Sequence, residues 1–368
     1  MKKLTLALLC SLVACTSISA QSASEKPKLK DAKSWSLILV PDIQNYVKYE
    51  RNQPILDLMC AWISDQVDSL NIKMVMCTGD LVEQNEIINN GHDGNQTSHQ
   101  QWTAAVSSFA KLNGKTPYIL ASGNHDYSVD RQGNRSSNYA KYVHIESNAL
   151  NRKAIVQHAT NEQGQATLEN SALELKQLHG QDYLFLTMEY APRDTMVSWA
   201  SRIVNLEQYK KHRVVLLTHE YLNTKDKRTT GIPQWFTYEP YAINNEIQKS
   251  AKVNLPRANN GQQLWEKLIQ PSSNIELVLS GHINGEGYRA DKNSSGKKTH
   301  QMLFDMQNEG GGHRNGNGGD GWLRILEFLP DGKTVIVKTY SPLFGSSPTT
   351  LKFAWKKDER NEFSFSFD

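Results

Sequence analysis

The chain has 368 residues, of which 38% are hydrophobic, 21% charged and 9% aromatic. These proportions are typical of a globular protein and exclude a disordered chain, and the length suits one large domain with insertions or two modest ones. The formal net charge is only +3, and Lys2 and Lys3 at the N-terminus contribute two of these charges. No cluster of Lys and Arg stands out, so we expect no nucleic-acid-binding patch.

Residues 1–20 are typical of an export signal, because the basic Met1–Lys3 precedes an apolar run, Leu4–Ala14, that is too short to span a bilayer. The run Leu12–Cys15 resembles a bacterial lipobox, which predicts cleavage before Cys15 and a lipid on its thiol. Ordinary cleavage after Ala20 is the alternative. Both predict an exported protein, located in the periplasm or held as a lipoprotein at the outer membrane or cell surface, with membrane contact only through a lipid anchor.

Two cysteines lie beyond the leader, Cys60 in a helix-like run and Cys77 in a strand-like run. A disulfide between them is permitted outside the cytoplasm. We expect two buried free thiols instead, and no cysteine spacing indicates a zinc site.

From Ser36 onward, short apolar runs alternate with longer amphipathic runs, which is typical of an α/β domain. The first part predicts, in chain order, a strand at Ser36–Val40, a helix at Pro54–Leu70, a strand at Ile72–Thr78, a helix at Trp102–Leu112 and a strand at Pro117–Ser122. The polar residues 127–180 interrupt this alternation, and we interpret them as an insertion or cap that contains one helix at Thr167–Leu178.

The alternation then resumes and later changes to β-hairpins. It predicts a strand at Tyr183–Glu189, a helix at Thr195–Val204, a strand at Arg213–Thr218, a helix at Gln263–Ile269 and a strand at Ile275–Gly281. Residues 221–261 form a second irregular stretch. Hairpin strands follow at His300–Gln307 and within Trp322–Pro342, where Asp331-Gly332 is a strong turn signal, and a last strand is expected in Asn361–Asp368.

Polar residues follow five of the apolar runs at the point where each predicted strand ends: Asp42, Asp80, Asn124, His219 and His282. The carboxyl ends of parallel strands line one edge of an α/β sheet, where ligands bind. Oxygen donors and imidazoles without a thiolate suit Mn²⁺, Zn²⁺ or Fe. The sequence therefore predicts a metal site built from these strand ends.

In order, these motifs are Asp42-x-Gln44, Gly79-Asp80, Gly123-Asn124-His125-Asp126, His219 and Gly281-His282. This order resembles the calcineurin-like metallophosphoesterases, whose pattern is D-x-H, G-D, G-N-H-[DE], a lone H and G-H-x-H. The resemblance covers Ser36 to Tyr340. It implies an α/β fold, a four-layer α/β/β/α sandwich of two mixed β-sheets flanked by helices, with the metal site at the C-terminal ends of strands. The domain would span residues 34–345 with insertions near 127–180 and 221–261, and residues 346–368 would form a C-terminal β extension.

The resemblance also implies roles for single residues. Asp80 would bridge two divalent ions that lie about 4 Å apart. Asn124, His219 and His282 would complete one ion site, and Asp42 would belong to the other. The metals would be Mn, Zn, Fe or Mg.

Two further family positions lie beside the reacting ester. His125 would stand next to the substrate as a catalytic residue, and Asp126 would orient it by accepting from its ring N–H.

The sequence departs from the family pattern at two metal positions, where Gln44 and Asn284 stand in place of histidines. An amide oxygen is a weaker, neutral ligand, so that ion site should bind loosely or prefer a harder ion such as Mn²⁺ or Mg²⁺. The alternative is that this site is vacant and the protein is mononuclear or inactive.

The function implied by the resemblance is hydrolysis of a small phosphate mono- or diester by attack of a metal-bound hydroxide. Candidate pocket walls are residues 83–100 with His92, Asp93 and His99, residues 127–180, and the Gly-rich loop with His313 and Arg314. An exported or surface-anchored binding or scaffold protein with a degraded metal site is the alternative. A serine hydrolase lacks support, because no G-x-S-x-G motif follows a strand.

Overall fold

The computed structural model describes residues 26–86, 94–130, 132–233 and 258–368. The predicted export signal with Cys15, the loop residues His92 and Asp93, and much of the 221–261 stretch lie outside the described residues. The strands in these ranges are β1 (Trp35–Val40), β2 (Ile72–Cys77), β3 (Tyr118–Leu120), β4 (Ser128–Val129), β5 (Arg135–Ser136), β6 (Ile155–Thr160), β7 (Ala166–Leu178), β8 (Gln181–Thr187), β9 (Arg213–Leu217), β10 (Ile275–Ser280), β11 (Gly285–Lys292), β12 (Lys298–Asp305), β13 (Leu323–Phe328), β14 (Thr334–Tyr340), β15 (Trp355–Lys356) and β16 (Phe363–Ser366).

The helices in the same ranges are α1 (Gln44–Val47), α2 (Gln53–Gln66), α3 (Ser98–Phe109), α4 (Tyr139–Tyr142), α5 (Ala149–Ala154), α6 (Asp194–Val204), α7 (Gly261–Leu264), α8 (Gly312–Asn315) and α9 (Pro342–Gly345). Helix α7 continues into a π-helical turn at Trp265–Ile269. Helix α2 begins with Pro54 in its first turn, where a missing backbone N–H costs nothing.

The larger strands form two mixed sheets. The first has the order β15-β14-β13-β1-β2-β3, with β16 also paired to β14, and the second has the order β11-β12-β10-β9-β8-β7-β6. Strands β1, β2 and β3 are parallel to one another, and so are β8, β9, β10 and β12. Residues 346–368 contribute β15 and β16 to the first sheet.

The sheets pack face to face and each carries helices on its outer face. Alternate residues of β1 show this, since Leu37 and Leu39 pack between the sheets whereas Ile38 and Val40 pack against α2 and α3. Helix α6 and the turn after α7 cover the outer face of the second sheet. The predicted four-layer α/β/β/α sandwich is confirmed.

The predicted helix at Thr167–Leu178 is wrong, because this segment is strand β7. It pairs antiparallel with β6 on one side and β8 on the other, and Leu173 lies opposite Phe185 in the core. The Leu, Glu and Lys residues of the segment favour a helix by propensity, but two β-ladders override so weak a preference.

The expected free thiols are confirmed, since Cys60 and Cys77 are both buried and unpaired.

Among the helices of the described ranges, none is long and apolar enough to cross a membrane.

Candidate metal centre

The parallel strands of both sheets end at the same side of the sandwich and bring three predicted ligands together. Asp80 follows β2, His219 follows β9 and His282 follows β10. One ligand atom from each of them lies within 4.8 Å of the others. The prediction that strand ends far apart in sequence meet at one place is therefore correct for these three side chains.

His219 lies at the centre of this group. Its Nε2 is 3.1 Å from Oδ1 of Asn124, 3.2 Å from Oδ1 of Asp80 and 3.2 Å from Nδ1 of His282. Its Nδ1 donates to the backbone carbonyl of Thr78 at 2.9 Å. Such a hydrogen bond fixes the tautomer and directs Nε2 towards the other ligands, as is usual for metal-binding histidines.

Asp42 and Gln44 border the same group. One oxygen of Asp42 accepts from the Thr78 hydroxyl at 2.5 Å, and the other accepts from the backbone N–H of His282 at 2.8 Å. Nε2 of Gln44 donates to Oδ2 of Asp80 at 3.0 Å, whereas its Oε1 is buried and has no hydrogen-bond partner in the part of the chain that the structure describes. Asn284 differs from both, because its side chain is exposed in the turn between β10 and β11.

Three glycines allow these side chains to approach one another. A Cβ on Gly79 would lie 2.7 Å from Nδ1 of His219, and one on Gly123 would lie 2.0 Å from Oδ1 of Asp80. A Cβ on Gly281 would lie 2.1 Å from Oδ1 of Asp42. The glycines of the motifs are therefore needed for space.

Backbone strain is also concentrated here. Asp80 and His282 have φ values of 45° and 70°, which residues with a Cβ rarely adopt. Such strain is typical of functional sites, where the surrounding structure holds it in place.

The electrostatics of the group favour positive charge between the carboxylates. Burial alone would lower the pKa of His219, but Asp80 and Asp42 raise it to about 10. Burial alone would raise the pKa of Asp80, yet His219 and His125 hold it well below its ordinary value. Burial and the nearby His219 lower the pKa of His282 to about 3, so its ring is neutral and can act as a ligand.

His125 lies at the rim of the group with its ring partly exposed. Its Nδ1 donates to the backbone carbonyl of Glu83 at 3.0 Å, and its Nε2 lies 4.0 Å from Oδ2 of Asp80. Its backbone N–H donates to Oδ1 of Asp80 at 3.1 Å. Nε2 of His125 therefore faces Asp80 at the edge of the group.

The predicted contact between Asp126 and the ring of His125 is wrong. The carboxylate of Asp126 accepts from the backbone N–H groups of Leu81, Val82 and Gly123 at 2.7 to 3.1 Å. Burial raises the pKa of Asp126 to about 8, and the charge of Asp80 adds to this, although the three amides oppose it. Asp126 thus joins the turn after β2 to the turn after β3.

One wall beside His125 comes from the loops that the sequence marked as candidates. Nζ of Lys48 lies 3.5 Å from Oε2 of Glu83 and 2.9 Å from a ring nitrogen of His313. Oε2 of Glu83 is in turn 3.8 Å from Nδ1 of His125. His99 instead bonds Tyr142 on helix α4.

Sequence reasoning missed Asp305 and Gln307, which lie at and just after the end of β12. Gln307 donates to both oxygens of Asp305 and accepts from Nε2 of Gln44 at 2.6 Å. The signal was present, because the apolar run before Asp305 ends in the same way as the five others. It was passed over because the segment was interpreted only as part of a hairpin.

Comparison with known proteins shows the family to which the chain belongs. The chain matches the family model of calcineurin-like phosphoesterases over residues 37–285, which is more than half of its length. It therefore belongs to the calcineurin-like phosphoesterase family. The identification made from the sequence motifs is confirmed.

A curated relative and several solved structures resemble the chain. The uncharacterized protein YvnB of Bacillus subtilis (strain 168) is 27% identical over 327 residues, which is 86% of this chain and 20% of YvnB. The chain thus spans one fifth of the curated relative that it matches. A dimetal phosphatase from Danio rerio has a similar structure, with 10% identity, a TM-score of 0.45 and coverage of 91% of this chain and 99% of that chain. GAP50, described as the anchor in the inner membrane complex of Plasmodium, has 11% identity, a TM-score of 0.39 and coverage of 91% and 89% of the two chains. PhoD has 10% identity, a TM-score of 0.45 and coverage of 91% and 70%.

The residues present fit the divalent ions that this family implies. Carboxylate, amide and imidazole groups, which can all bind a metal ion, lie together in a buried part of the structure. Among the described residues the buried Oε1 of Gln44 accepts no hydrogen bond, so a metal ion would give it a partner. The buried carboxylates of Asp80 and Asp42, 3.2 and 3.8 Å from the ring of His219, favour a cation there.

Proposed function

We propose that this protein hydrolyses small phosphate mono- or diesters with two divalent metal ions. The observation that carries the proposal is the convergence of Asp80, His219 and His282 at the ends of three strands from both sheets, with ligand atoms within 4.8 Å of one another. Asn124 would join them at one ion. Asp42 would serve the other, and Asp80 would be shared.

The bound ions supply positive charge for the phosphoryl oxygens and lower the pKa of a coordinated water. The protein's own side chains do the rest. The carbonyl of Glu83 accepts the Nδ1 proton of His125, so Nε2 is directed towards the site and carries the ring's second proton only when the ring is an imidazolium. From there it stabilises charge on the phosphoryl group or protonates the leaving oxygen.

The reaction needs the imidazoles of His219 and His282 without a proton on the atom that binds metal. His219 keeps its Nδ1 proton on the Thr78 carbonyl, so only the Nε2 proton has to leave when a cation binds. His282 is already neutral, as its pKa is lowered to about 3. Metal uptake should therefore release protons.

The test is a hydrolysis assay on the purified full chain with p-nitrophenyl phosphate and bis(p-nitrophenyl) phosphate. The protein is first stripped with a chelator and then given Mn²⁺, Zn²⁺ or Mg²⁺, and bound metal is counted in parallel. We expect two ions per chain and turnover of at least one ester that depends on the metal. Asp80→Asn should lose both, whereas Asp57→Asn, at a carboxylate 52% exposed on helix α2, should lose neither.

A protein that binds no metal and turns over neither ester would instead fit a binding or scaffold function.

We also propose that the enzyme acts outside the cytoplasm. The support for this is the leader sequence, with its lipobox-like Leu12–Cys15.

A further inference from the structure

Asp305 ends β12 at the same edge of the second sheet as the histidines. Strand β12 runs parallel to β10, with Leu303 opposite Ser280, so the segments after both strands leave the sheet in the same direction. His282 follows two residues after Ser280, and Asp305 follows two residues after Leu303. Asp305 is only 1% exposed.

A continuous set of hydrogen bonds joins Asp305 to the shared carboxylate. Gln307 donates from Nε2 to Oδ2 of Asp305 at 2.9 Å, and its Oε1 accepts from Gln44 at 2.6 Å. The same nitrogen of Gln44 lies 3.0 Å from Oδ2 of Asp80. The hydrogen bonds therefore place Asp305, Gln44 and Asp80 in one buried network.

An amide oxygen without a hydrogen-bond partner marks this network as a ligand site. Among the described residues, Oε1 of Gln44 has no hydrogen-bond partner, and the whole side chain is buried, with only 1% exposed. A buried amide oxygen without a partner is unfavourable, and a bound cation would relieve that cost. Asn284, which stands at the family's ligand position, is exposed in its turn and leaves this place to other donors.

The charges at this place also call for a cation. Asp42, Asp80 and Asp305 are each 0–1% exposed, and His219 is the buried histidine that contacts the first two. Buried carboxylates of this kind are normally paired or coordinate a metal.

We propose that the carboxylate of Asp305 is a ligand of the second divalent ion, together with Asp42, the amide oxygen of Gln44 and the shared Asp80. This inference rests on the proposed two-metal function. The donors at this ion are then all oxygens, whereas the first ion has the imidazoles of His219 and His282. An oxygen-only site favours Mn²⁺ or Mg²⁺, and a site with imidazoles also suits Zn²⁺ or Fe. The two sites should therefore fill with different metals.

The first experiment counts ions. Mn²⁺ is titrated into the stripped full chain by calorimetry, and electron paramagnetic resonance distinguishes a coupled Mn²⁺ pair from a single ion. We expect two ions and a coupled pair in the wild type. Asp305→Asn, which keeps an oxygen for Gln307, should weaken one site by more than about 100-fold, the upper range for residues that act only behind a ligand. The coupled spectrum should become that of a single ion, and Asp57→Asn should behave as the wild type.

The second experiment asks whether residue 305 touches the ion. Asp305→Cys is loaded with Cd²⁺, for which a thiolate is a strong ligand, and thiolate-to-cadmium absorption is measured against the wild type and Asp57→Cys. We expect the band only in Asp305→Cys. Its absence, together with weaker binding in Asp305→Asn and equally weak binding in Gln307→Ala, would make Asp305 a positioning residue and overturn the proposal.

The outcomes separate this proposal from the proposed function. If the wild type binds two ions and turns over ester while Asp305→Asn still binds two with unchanged affinity, Asp305 is not a ligand and the function stands. If the wild type itself does not bind two ions, the two-metal function and the role of Asp305 fail together.

Discussion

Replacing Gly123 by alanine should damage the metal centre through a single added methyl group. The backbone angles of Gly123, φ −110° and ψ −177°, are open to alanine, so conformational strain does not contribute. The new Cβ would lie 2.0 Å from Oδ1 of Asp80 and 2.4 Å from its backbone N, whereas real Cβ contacts are essentially never below 3.0 Å. Asp80 would therefore have to move by about 1 Å.

The expected effect follows from that displacement. A misplacement of about 1 Å costs on the order of 100-fold in rate, equivalent to about 2.7 kcal/mol of transition-state stabilisation. Because Asp80 is the proposed shared ligand, metal affinity should fall as well. The overpacked turn should also lower the free energy of unfolding by about 1–3 kcal/mol.

The assay measures kcat/KM with the chromogenic esters, bound metal and urea unfolding of the stripped proteins. Gly231→Ala is the matched control, since a Cβ there meets no atom of the described residues within 4 Å. Gly281→Ala is a parallel test, because its Cβ would lie 2.1 Å from Oδ1 of Asp42. If folded Gly123→Ala kept wild-type metal content and a kcat/KM within about twofold, well below the loss expected for a displaced ligand, then the assignment of Asp80 as shared ligand would be refuted.

Three further predictions concern other parts of the chain. His125→Ala should lower kcat by about 10²–10⁴-fold with metal content unchanged, and an unaltered kcat would remove His125 from the mechanism. Glu189 is buried beside Arg135 and Arg193. Burial alone would raise the pKa of Glu189, but these arginines lower it to about 2. The ionised carboxylate therefore stabilises the fold above pH 4.5, and this stability is lost as the pH falls towards 2. Glu189→Gln should thus lose about 3 kcal/mol of unfolding free energy at pH 7 and flatten this acid dependence in urea titrations, and an unchanged acid profile would contradict the prediction. Cys15→Ser should shift the protein from the membrane fraction to the soluble fraction of an expressing bacterium and abolish fatty-acid labelling, whereas unchanged fractionation would favour cleavage after Ala20.

The strand-end pattern was enough to locate the metal centre, because its premise is geometric. Parallel strands of a layered α/β fold finish at one edge, so Asp80, His219 and His282 could be grouped without knowing the sheet order. The same pattern did not reveal which neighbours hold these side chains. The Thr78 carbonyl that fixes His219 carries no side-chain signal that a sequence could show.

Adjacency in sequence was a poor guide to contact at two positions. Asp126 follows His125, but the 3₁₀ turn at Asn124–Asp126 directs its carboxylate to three backbone amides instead. Asn284 follows His282 by two residues, yet the turn before β11 leaves it exposed. In both cases the local turn geometry, and not residue type, decides where the side chain lies.

The sequence by itself determined the order of the motifs, the α/β class and the identity of the ligand types, because these depend on hydrophobic periodicity and on the chemistry of single residues. The tertiary structure alone decided that Thr167–Leu178 is a strand and that Asp305 joins the site. Both depend on which strands pair. Strand β7 is fixed by ladders on its two sides, and β12 lies parallel to β10 although it forms a hairpin with β11. Pairing joins residues that are distant in sequence, so local propensity does not encode it.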